Sequence, residues 1–167
     1  NRANVKNTPA VTGDIAIIGV AGRFPSADTV EEFWKNVSTG TESITFFSKE
    51  ELKGIVPDEL LENPQYVRAK GVIRNCENFD AEFFGFTPRE AQITDPQHRI
   101  FLECVWEAIE RAGYDSKTYK GRIGVYGGMG SNYYVRKIMN TDLADTIDPY
   151  SLALGNEKDF LCSRASY

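Results

Sequence analysis

The strongest structural signal in this chain of 167 residues is the stretch Asp95-Pro96-Gln97-His98-Arg99-Ile100-Phe101-Leu102-Glu103-Cys104-Val105-Trp106-Glu107-Ala108-Ile109-Glu110-Arg111-Ala112-Gly113. Asp95 is a favourable N-cap residue, and Pro96 suits the first helical position, where its missing N–H would have no helical partner. Gly113 suits the left-handed position that follows many helix ends. Apolar residues recur at helical spacing between these ends and leave only a narrow polar stripe. The stretch therefore predicts a long and largely buried helix.

The polar stripe of this helix carries opposite charges one turn apart. Arg99 and Glu103 form one such pair, and Glu107 and Arg111 form another. Side chains four residues apart are neighbours on a helix surface, so the spacing predicts two ion pairs within the helix.

His98 is the only histidine of the chain and falls in the first turn of the same helix. From that position it is expected to reach a neighbouring carboxylate or solvent. One histidine cannot build a metal site, and a histidine acting as a base needs a paired nucleophile. The sequence therefore predicts no catalytic or metal-binding role for His98.

Two short apolar runs flank the helix at a distance. They are Ile15–Ile18, which ends at Gly19, and Ile123–Tyr126, which ends at Gly127. Runs of this kind are typical of strands that are covered on both faces. Further helices are predicted from Val30 to Val37, capped by Asp28 or Thr29 and ended by Gly40, near Tyr133–Met139, and from Pro149 onward. This order indicates a layered α/β architecture.

Composition limits the class of protein. The chain is 41% hydrophobic and 26% charged, which is typical of a globular domain, and no apolar run is long enough to span a membrane. Its net charge of −5 argues against a nucleic-acid partner, which needs a basic face. Residues 1–13 are polar without periodicity and are predicted to be a linker, whereas residues 14–167 form the domain.

The three cysteines are widely spaced and do not suggest disulfides or a zinc site, so a cytoplasmic protein with reduced thiols is expected. Cys104 falls on the apolar face of the long helix. Cys162 falls in a helical segment and Cys76 in an irregular one. A nucleophilic cysteine needs an activating histidine or helix N-terminus, and none of the three has one in the sequence pattern.

Two glycine clusters invite a nucleotide-binding interpretation. Gly19–Gly22 and Gly124–Ser131 lack both the dinucleotide fingerprint and the Gly-Lys-Ser/Thr of a phosphate loop. Glycine also serves turns and close approaches of the backbone. For the second cluster this leaves two interpretations, which are a structural turn and one wall of a substrate channel.

A set of short motifs runs in one order through the chain after the linker. The motifs are Asp14–Gly19 with Gly22–Pro25, Phe33-Trp34, Phe79–Gly85, Asp95–Arg99 with Leu102-Glu103 and Trp106–Ala108, Gly155-Asn156, and Ser163–Tyr167. Together they resemble the ketosynthase domain of modular polyketide synthases. The segment Asn156–Leu161, together with a histidine at position 98, resembles the corresponding sequence of those synthases of this family that recruit their acyltransferase in trans.

The resemblance implies a thiolase-like fold, which is a layered α-β-α-β-α sandwich that works as a homodimer. It also implies decarboxylative Claisen condensation. An acyl chain moves from the phosphopantetheine of an acyl carrier protein to a cysteine, and a malonyl unit then extends it with the help of two histidines. Phosphopantetheine would arrive on the carrier protein, and no cofactor is expected to bind this segment itself.

In the family, the nucleophilic cysteine, both catalytic histidines and a supporting lysine belong after the position of Tyr167. The sequence therefore predicts the N-terminal portion of a ketosynthase, inactive on its own, with no catalytic residue to carry over. Tyr150, Leu152 and Leu154 match a segment that contributes to the dimer interface and acyl pocket of the family, although a role in the core is equally open. The alternative is a truncated, non-catalytic fragment that acts as a docking or interaction module.

Overall fold

A computed structural model describes residues 13–167, and residues 1–12 of the predicted linker lie outside the described residues. Helices dominate this part of the chain. The α-helices are α1 (Val30–Thr39), α2 (Lys49–Leu52), α3 (Asp58–Leu61), α4 (Pro88–Ile93), α5 (Pro96–Arg111), α6 (Tyr134–Met139), α7 (Pro149–Asn156) and α8 (Asp159–Ser166), with a 3₁₀ turn at Ala144–Thr146. Strands β1 (Thr45–Phe46) and β2 (Ala69–Lys70) pair antiparallel, with Thr45 opposite Lys70.

The ends of α5 follow the predicted signals. The Asp95 carboxylate accepts a hydrogen bond from the Gln97 backbone amide at 2.7 Å, and Pro96 occupies the first turn. Gly113, just past the end, has a φ of +76°, a conformation that glycine adopts without strain. The predicted helix and its boundaries are therefore confirmed.

The ion pairs of α5 differ from the prediction, because its charged residues bond to other elements instead of to one another. Arg23 forms a two-point pair with Glu107, with one N–O distance of 2.9 Å, and lies 3.6 Å from Glu103. Arg111 pairs with Glu31 of α1 at 2.7 Å. A planar guanidinium gains more from a fork-like pair with a carboxylate than from a one-turn contact along a helix. These bonds attach the N-terminal segment and α1 to α5.

Burial of α5 is also narrower than predicted, since only His98, Arg99 and Leu102 are fully buried. Arg99 donates to the Glu77 carbonyl at 3.1 Å, so it too bonds outside its own helix. The later turns are half-buried or exposed, because the described elements cover mainly the first half of the helix.

The prediction of two strands at the apolar runs is wrong for the described residues. Neither Ile15–Ile18 nor Ile123–Tyr126 belongs to a strand, and Ile15 is 94% exposed. A strand exists only where a neighbouring strand supplies hydrogen-bond partners, and no described residue pairs with these runs. Gly19 nevertheless lies so close to the Ala108 carbonyl that a Cβ atom would be 2.1 Å from its oxygen. The segment thus packs against α5 without forming a sheet.

Helix α1 confirms its predicted ends. The Thr29 hydroxyl accepts from the Glu32 amide, and Gly40 follows the helix with a φ of +67°. Its apolar face is not covered by the described residues, since Trp34 is 68% exposed.

An aromatic cluster precedes α4. The Phe79 ring lies 5.1 Å from that of Phe84 and 5.2 Å from that of Phe86, while Phe83 meets Trp106 of α5 edge-on at 4.8 Å. Arg164 of α8 lies over the Phe86 ring at 4.7 Å. The cluster therefore packs the irregular region onto α5 and α8.

The last helices, α6, α7 and α8, pack against one another and onto α4 and α5. Within residues 13–167, no helix has both the length and the apolar character that crossing a membrane would require.

Candidate functional site

A groove of about 490 Å³ lies between α7 and the segment that leads into α6. Residues that line it include Met129, Gly130, Asn132, Leu152, Ala153 and Asn156. The lining is mostly apolar, and Glu157 and Lys158 are its charged residues. Clefts of this size are typical of small-molecule sites in proteins.

The structure separates the three predicted site residues. Leu152 lines the groove, whereas Tyr150 is 70% exposed and Leu154 is half-buried, and neither of these two lines it. On a helix, residues four apart share a face and residues two apart do not. Tyr150 and Leu154 therefore share one face of α7, and Leu152 belongs to another.

Asn156 is the best-anchored residue at the groove. It is 5% exposed, and its amide nitrogen donates to the carbonyls of Ile93 at 2.7 Å and Leu152 at 2.8 Å. The backbone adds a further link, since the Asp95 amide donates to the Gly155 carbonyl at 2.9 Å. The end of α7 is thus tied to the junction between α4 and α5.

Gly155 allows this close contact. A Cβ atom there would lie 3.0 Å from the Thr94 hydroxyl and 3.1 Å from its Cα atom. Thr94 is buried, and its hydroxyl is already bonded to the Glu90 carbonyl at 2.7 Å, so it cannot easily move away.

Asn132 connects the other wall of the groove to Asn156. Its amide nitrogen donates to the Asn156 backbone oxygen at 2.8 Å and side-chain oxygen at 3.2 Å. Its own side-chain oxygen accepts from the amides of Tyr134 at 2.8 Å and Val135 at 3.3 Å, at the start of α6. One side chain thus joins α6 to α7.

Gln97 makes a second link to the same wall. Its side-chain oxygen accepts from the Gly130 amide at 3.0 Å, and its nitrogen lies 3.4 Å from the Asp95 carboxylate. The glycines of the second cluster lie partly along the groove and partly at a close contact with neighbouring helices. Gly130 lines the groove, and Gly127 approaches α5 and α8 so closely that a Cβ atom would lie 2.9 Å from the Phe101 ring.

The sequence pattern predicts no functional role for the side chains of Asn132 and Gln97. The detectable signal was weak: an asparagine just before a helix is a common N-cap. Their distant partners could not be found from local spacing.

His98 lies beside this junction and differs from the prediction. It is 1% exposed, and neither ring nitrogen has a hydrogen-bond partner among the described residues. Burial lowers its pKa, the nearby Asp95 carboxylate opposes this effect, and Arg164 lowers the pKa further. The imidazole reaches neither carboxylate nor solvent because α5 begins inside the molecule.

No cysteine among the described residues forms a pair with His98. Cys104 is half-buried, and burial raises the pKa of its thiol. Cys162 is half-buried near Gly127. Residues 13–167 also contain no group of three or more potential metal ligands. The lining of the groove can shape and hold an apolar ligand.

Comparison with known proteins gives one consistent result. Residues 12–167 match the family model described as beta-ketoacyl synthase, N-terminal domain. One component of the phenolphthiocerol/phthiocerol polyketide synthase of Mycobacterium tuberculosis is 45% identical over an alignment of 162 positions, which covers 92% of this chain and 11% of that protein. Polyketide synthase PksN of Bacillus subtilis is 41% identical over 130 residues, which are 77% of this chain and 2% of that protein.

Solved structures agree with the sequence relatives. Ketosynthase twelve of the bacillaene synthase of Bacillus amyloliquefaciens is 45% identical, with a TM-score of 0.52 over 57% of this chain and 17% of that chain. The ketosynthase from module 6 of the bacillaene synthase of Bacillus subtilis is 32% identical, with a TM-score of 0.57 over 84% of this chain and 23% of that chain. The chain thus spans only a small part of the proteins that it matches.

Proposed function

This chain belongs to the family of beta-ketoacyl synthase N-terminal domains, and on that basis we propose that it supplies the N-terminal portion of a condensing ketosynthase in a polyketide synthase. The observation that carries the proposal is the family match over residues 12–167, together with the likeness of 84% of the chain to a solved ketosynthase. The thiolase-like fold predicted from the sequence is that of these neighbours.

The proposed reaction has two steps. An acyl group leaves the phosphopantetheine thiol of an acyl carrier protein and forms a thioester with an enzyme cysteine. A carrier-bound malonyl unit then loses CO₂, and the resulting carbanion attacks that thioester, which forms a C–C bond and releases the cysteine thiolate. A positioned thiolate and amide donors for the oxyanion are what acyl transfer requires. In this proposal the cysteine and the histidines are supplied by polypeptide other than residues 1–167.

The groove gives residues of this chain a role in that reaction. We assign Leu152 to the wall that holds the apolar acyl chain, because it is the predicted site residue that lines the groove. We assign Tyr150 and Leu154, on another face of α7, to the homodimer interface. The acyl carrier protein, a second copy of the chain and an acyltransferase acting in trans are the partners that the proposal requires, within a cytoplasmic synthase.

The experiment is acylation of the full-length protein. Incubation with an octanoyl thioester, followed by intact-protein mass spectrometry, should show one acyl group per chain. Pretreatment with a thiol-alkylating reagent should prevent it. Absence of any acylation by this or a shorter thioester would contradict the proposal.

A second candidate function is an interaction module without catalysis. The exposed apolar run Ile15–Ile18 favours it, because large uncovered apolar surface often marks a binding face. The two functions differ in what residues 14–167 do alone. A soluble monomer with one cooperative unfolding transition would support the module, whereas part of a larger ketosynthase should self-associate.

A further inference from the structure

We propose that Asn132 is a positioning residue for the groove, which fixes the distance between its two walls and thereby the fit of the acyl chain. The inference rests on the proposed ketosynthase function and assigns a specificity role to a residue outside the reacting groups. It follows from three observations on hydrogen bonding at the junction of α6 and α7.

The first observation is that the Asn132 amide is fully used. Its nitrogen donates twice to Asn156, at 2.8 and 3.2 Å, and its oxygen accepts from the Tyr134 and Val135 amides. An asparagine side chain has two N–H donors and one carbonyl acceptor, so one group can both start α6 and hold α7. Neither a carboxylate nor a hydroxyl of shorter reach can do both.

The second observation is that Asn156 connects Asn132 to α7, the helix that forms the Leu152 wall of the groove. Asn156 is nearly fully buried and donates to the carbonyl of Leu152, the apolar wall residue, and to that of Ile93. Because a buried amide is costly to leave without partners, the Asn156 side chain is held in one place. A shift of Asn156 therefore moves the turn of α7 that carries Leu152.

The third observation is the position of Asn132 itself, since it lines the groove beside Met129. The bond from Asn132 to Asn156 thus spans from one wall to the other. Small displacements matter in such a site, because each methylene that fits an apolar wall changes binding about fourfold. Loosening the walls should therefore reduce discrimination by chain length more than it reduces overall binding.

The experiment uses full-length protein and Asn132→Asp, which keeps the acceptor for Tyr134 and Val135 but places a carboxylate oxygen against the oxygens of Asn156. The matched control is Asn140→Asp, the same change at an exposed residue just after α6 whose side chain makes no hydrogen bond among the described residues. The kcat/KM values for acylation by hexanoyl and octanoyl thioesters are compared. In wild-type protein and the control, octanoyl should be preferred several-fold, and in Asn132→Asp this ratio should fall at least threefold towards one.

Asn132→Ser is the second variant, because serine can cap α6 but is too short to reach Asn156. It should reproduce the loss of preference. Equal loss of both rates with an unchanged ratio in the two variants would overturn the positioning role and leave the proposed function intact. Unfolding of both variants, or a wild-type protein that does not distinguish the thioesters, would overturn it as well. A wild-type protein that neither thioester acylates would instead contradict the proposed function, on which this role depends.

Discussion

The surroundings of His98 illustrate how much a single residue depends on distant parts of the chain. Its place in the first turn of α5 is evident from the sequence, and so is the Asp95 cap that begins the helix. Its burial is not evident, because the residues that cover it come from other segments. The same holds for Asn132, whose role as a cap is local but whose bonds to Asn156 span 24 residues.

The buried imidazole gives a prediction on pH. Burial holds the pKa of His98 below its usual value of 6.5, so the unfolded chain binds a proton that the folded chain does not. Stability should therefore be constant above that pH and fall as the pH drops below it. The free energy of unfolding, measured with urea at about pH 7.5 and about pH 5.5, should decrease in the wild-type protein.

The matched variant for this prediction is His98→Gln, which cannot take up a proton. It should lose less stability than the wild-type protein over the same interval, because the buried group with the lowered pKa is absent. Equal pH dependence in the variant and the wild type would show that folding does not lower the pKa of His98.

A second prediction concerns Cys162. Residues 1–167 alone should not react at Cys162 with an octanoyl thioester, because this thiol has no hydrogen bond to a histidine among the described residues. Intact-protein mass spectrometry measures the reaction, with Cys162→Ala as the control. Rapid, stoichiometric acylation that Cys162→Ala abolishes would contradict this prediction.

At the scale of elements, helix ends were predictable and contacts between elements were not. Residues 29 and 95 cap α1 and α5 as expected, since these signals act within one turn. The sequence spacing predicts that the charged residues of α5 pair with each other, yet Glu107 pairs with Arg23 and Arg111 pairs with Glu31. The apolar runs predicted as strands form no strand in residues 13–167. A strand needs hydrogen-bonding partners from another segment, and its own sequence does not identify them.

The contact of α7 with the α4–α5 junction gives a third prediction. Gly155→Ala should lower the free energy of unfolding by roughly 1 kcal/mol or more, because overpacking costs typically 1–3 kcal/mol and exceeds the gain in helix propensity. The added Cβ would meet the buried Thr94 at 3.0–3.1 Å. Urea denaturation measures the change. Gly128→Ala is the control, since a Cβ there has no neighbour within 4 Å. A Gly155→Ala protein as stable as the control would contradict the prediction and would mean that Thr94 can shift away from the added Cβ atom.

At the scale of the whole molecule, the described residues leave much apolar surface open. Ile15, Ile17 and Tyr126 are more than four-fifths exposed beside the half-buried side of α5. The family and its layered fold could be inferred from ordered motifs, whereas the sheet could not be built from residues 13–167. The described residues form only the two-stranded sheet of β1 and β2, and the chain covers 17–23% of the solved ketosynthases that it matches.

This surface gives the fourth prediction. Residues 14–167 expressed alone should self-associate and bind a dye that reports exposed apolar surface, because an uncovered apolar face of this kind drives aggregation. Light scattering after size-exclusion chromatography measures the association. The double variant Ile15→Lys and Ile17→Lys should reduce both signals. Val67→Lys, at another exposed apolar residue, should change them little. A monomeric wild-type segment would contradict the prediction.

The bond between Asn132 and Asn156 also has a consequence for recombination between related synthases. A crossover placed between these positions would join an α6 wall from one parent to an α7 wall from the other. Any residue at position 156 keeps the backbone oxygen that accepts from Asn132. The side-chain oxygen that also accepts from Asn132, and the side-chain nitrogen that donates to the Leu152 carbonyl, require asparagine in the incoming parent. Chimeras with junctions before Met129 or after Lys158 inherit the groove as one unit and should retain the chain-length preference of its donor.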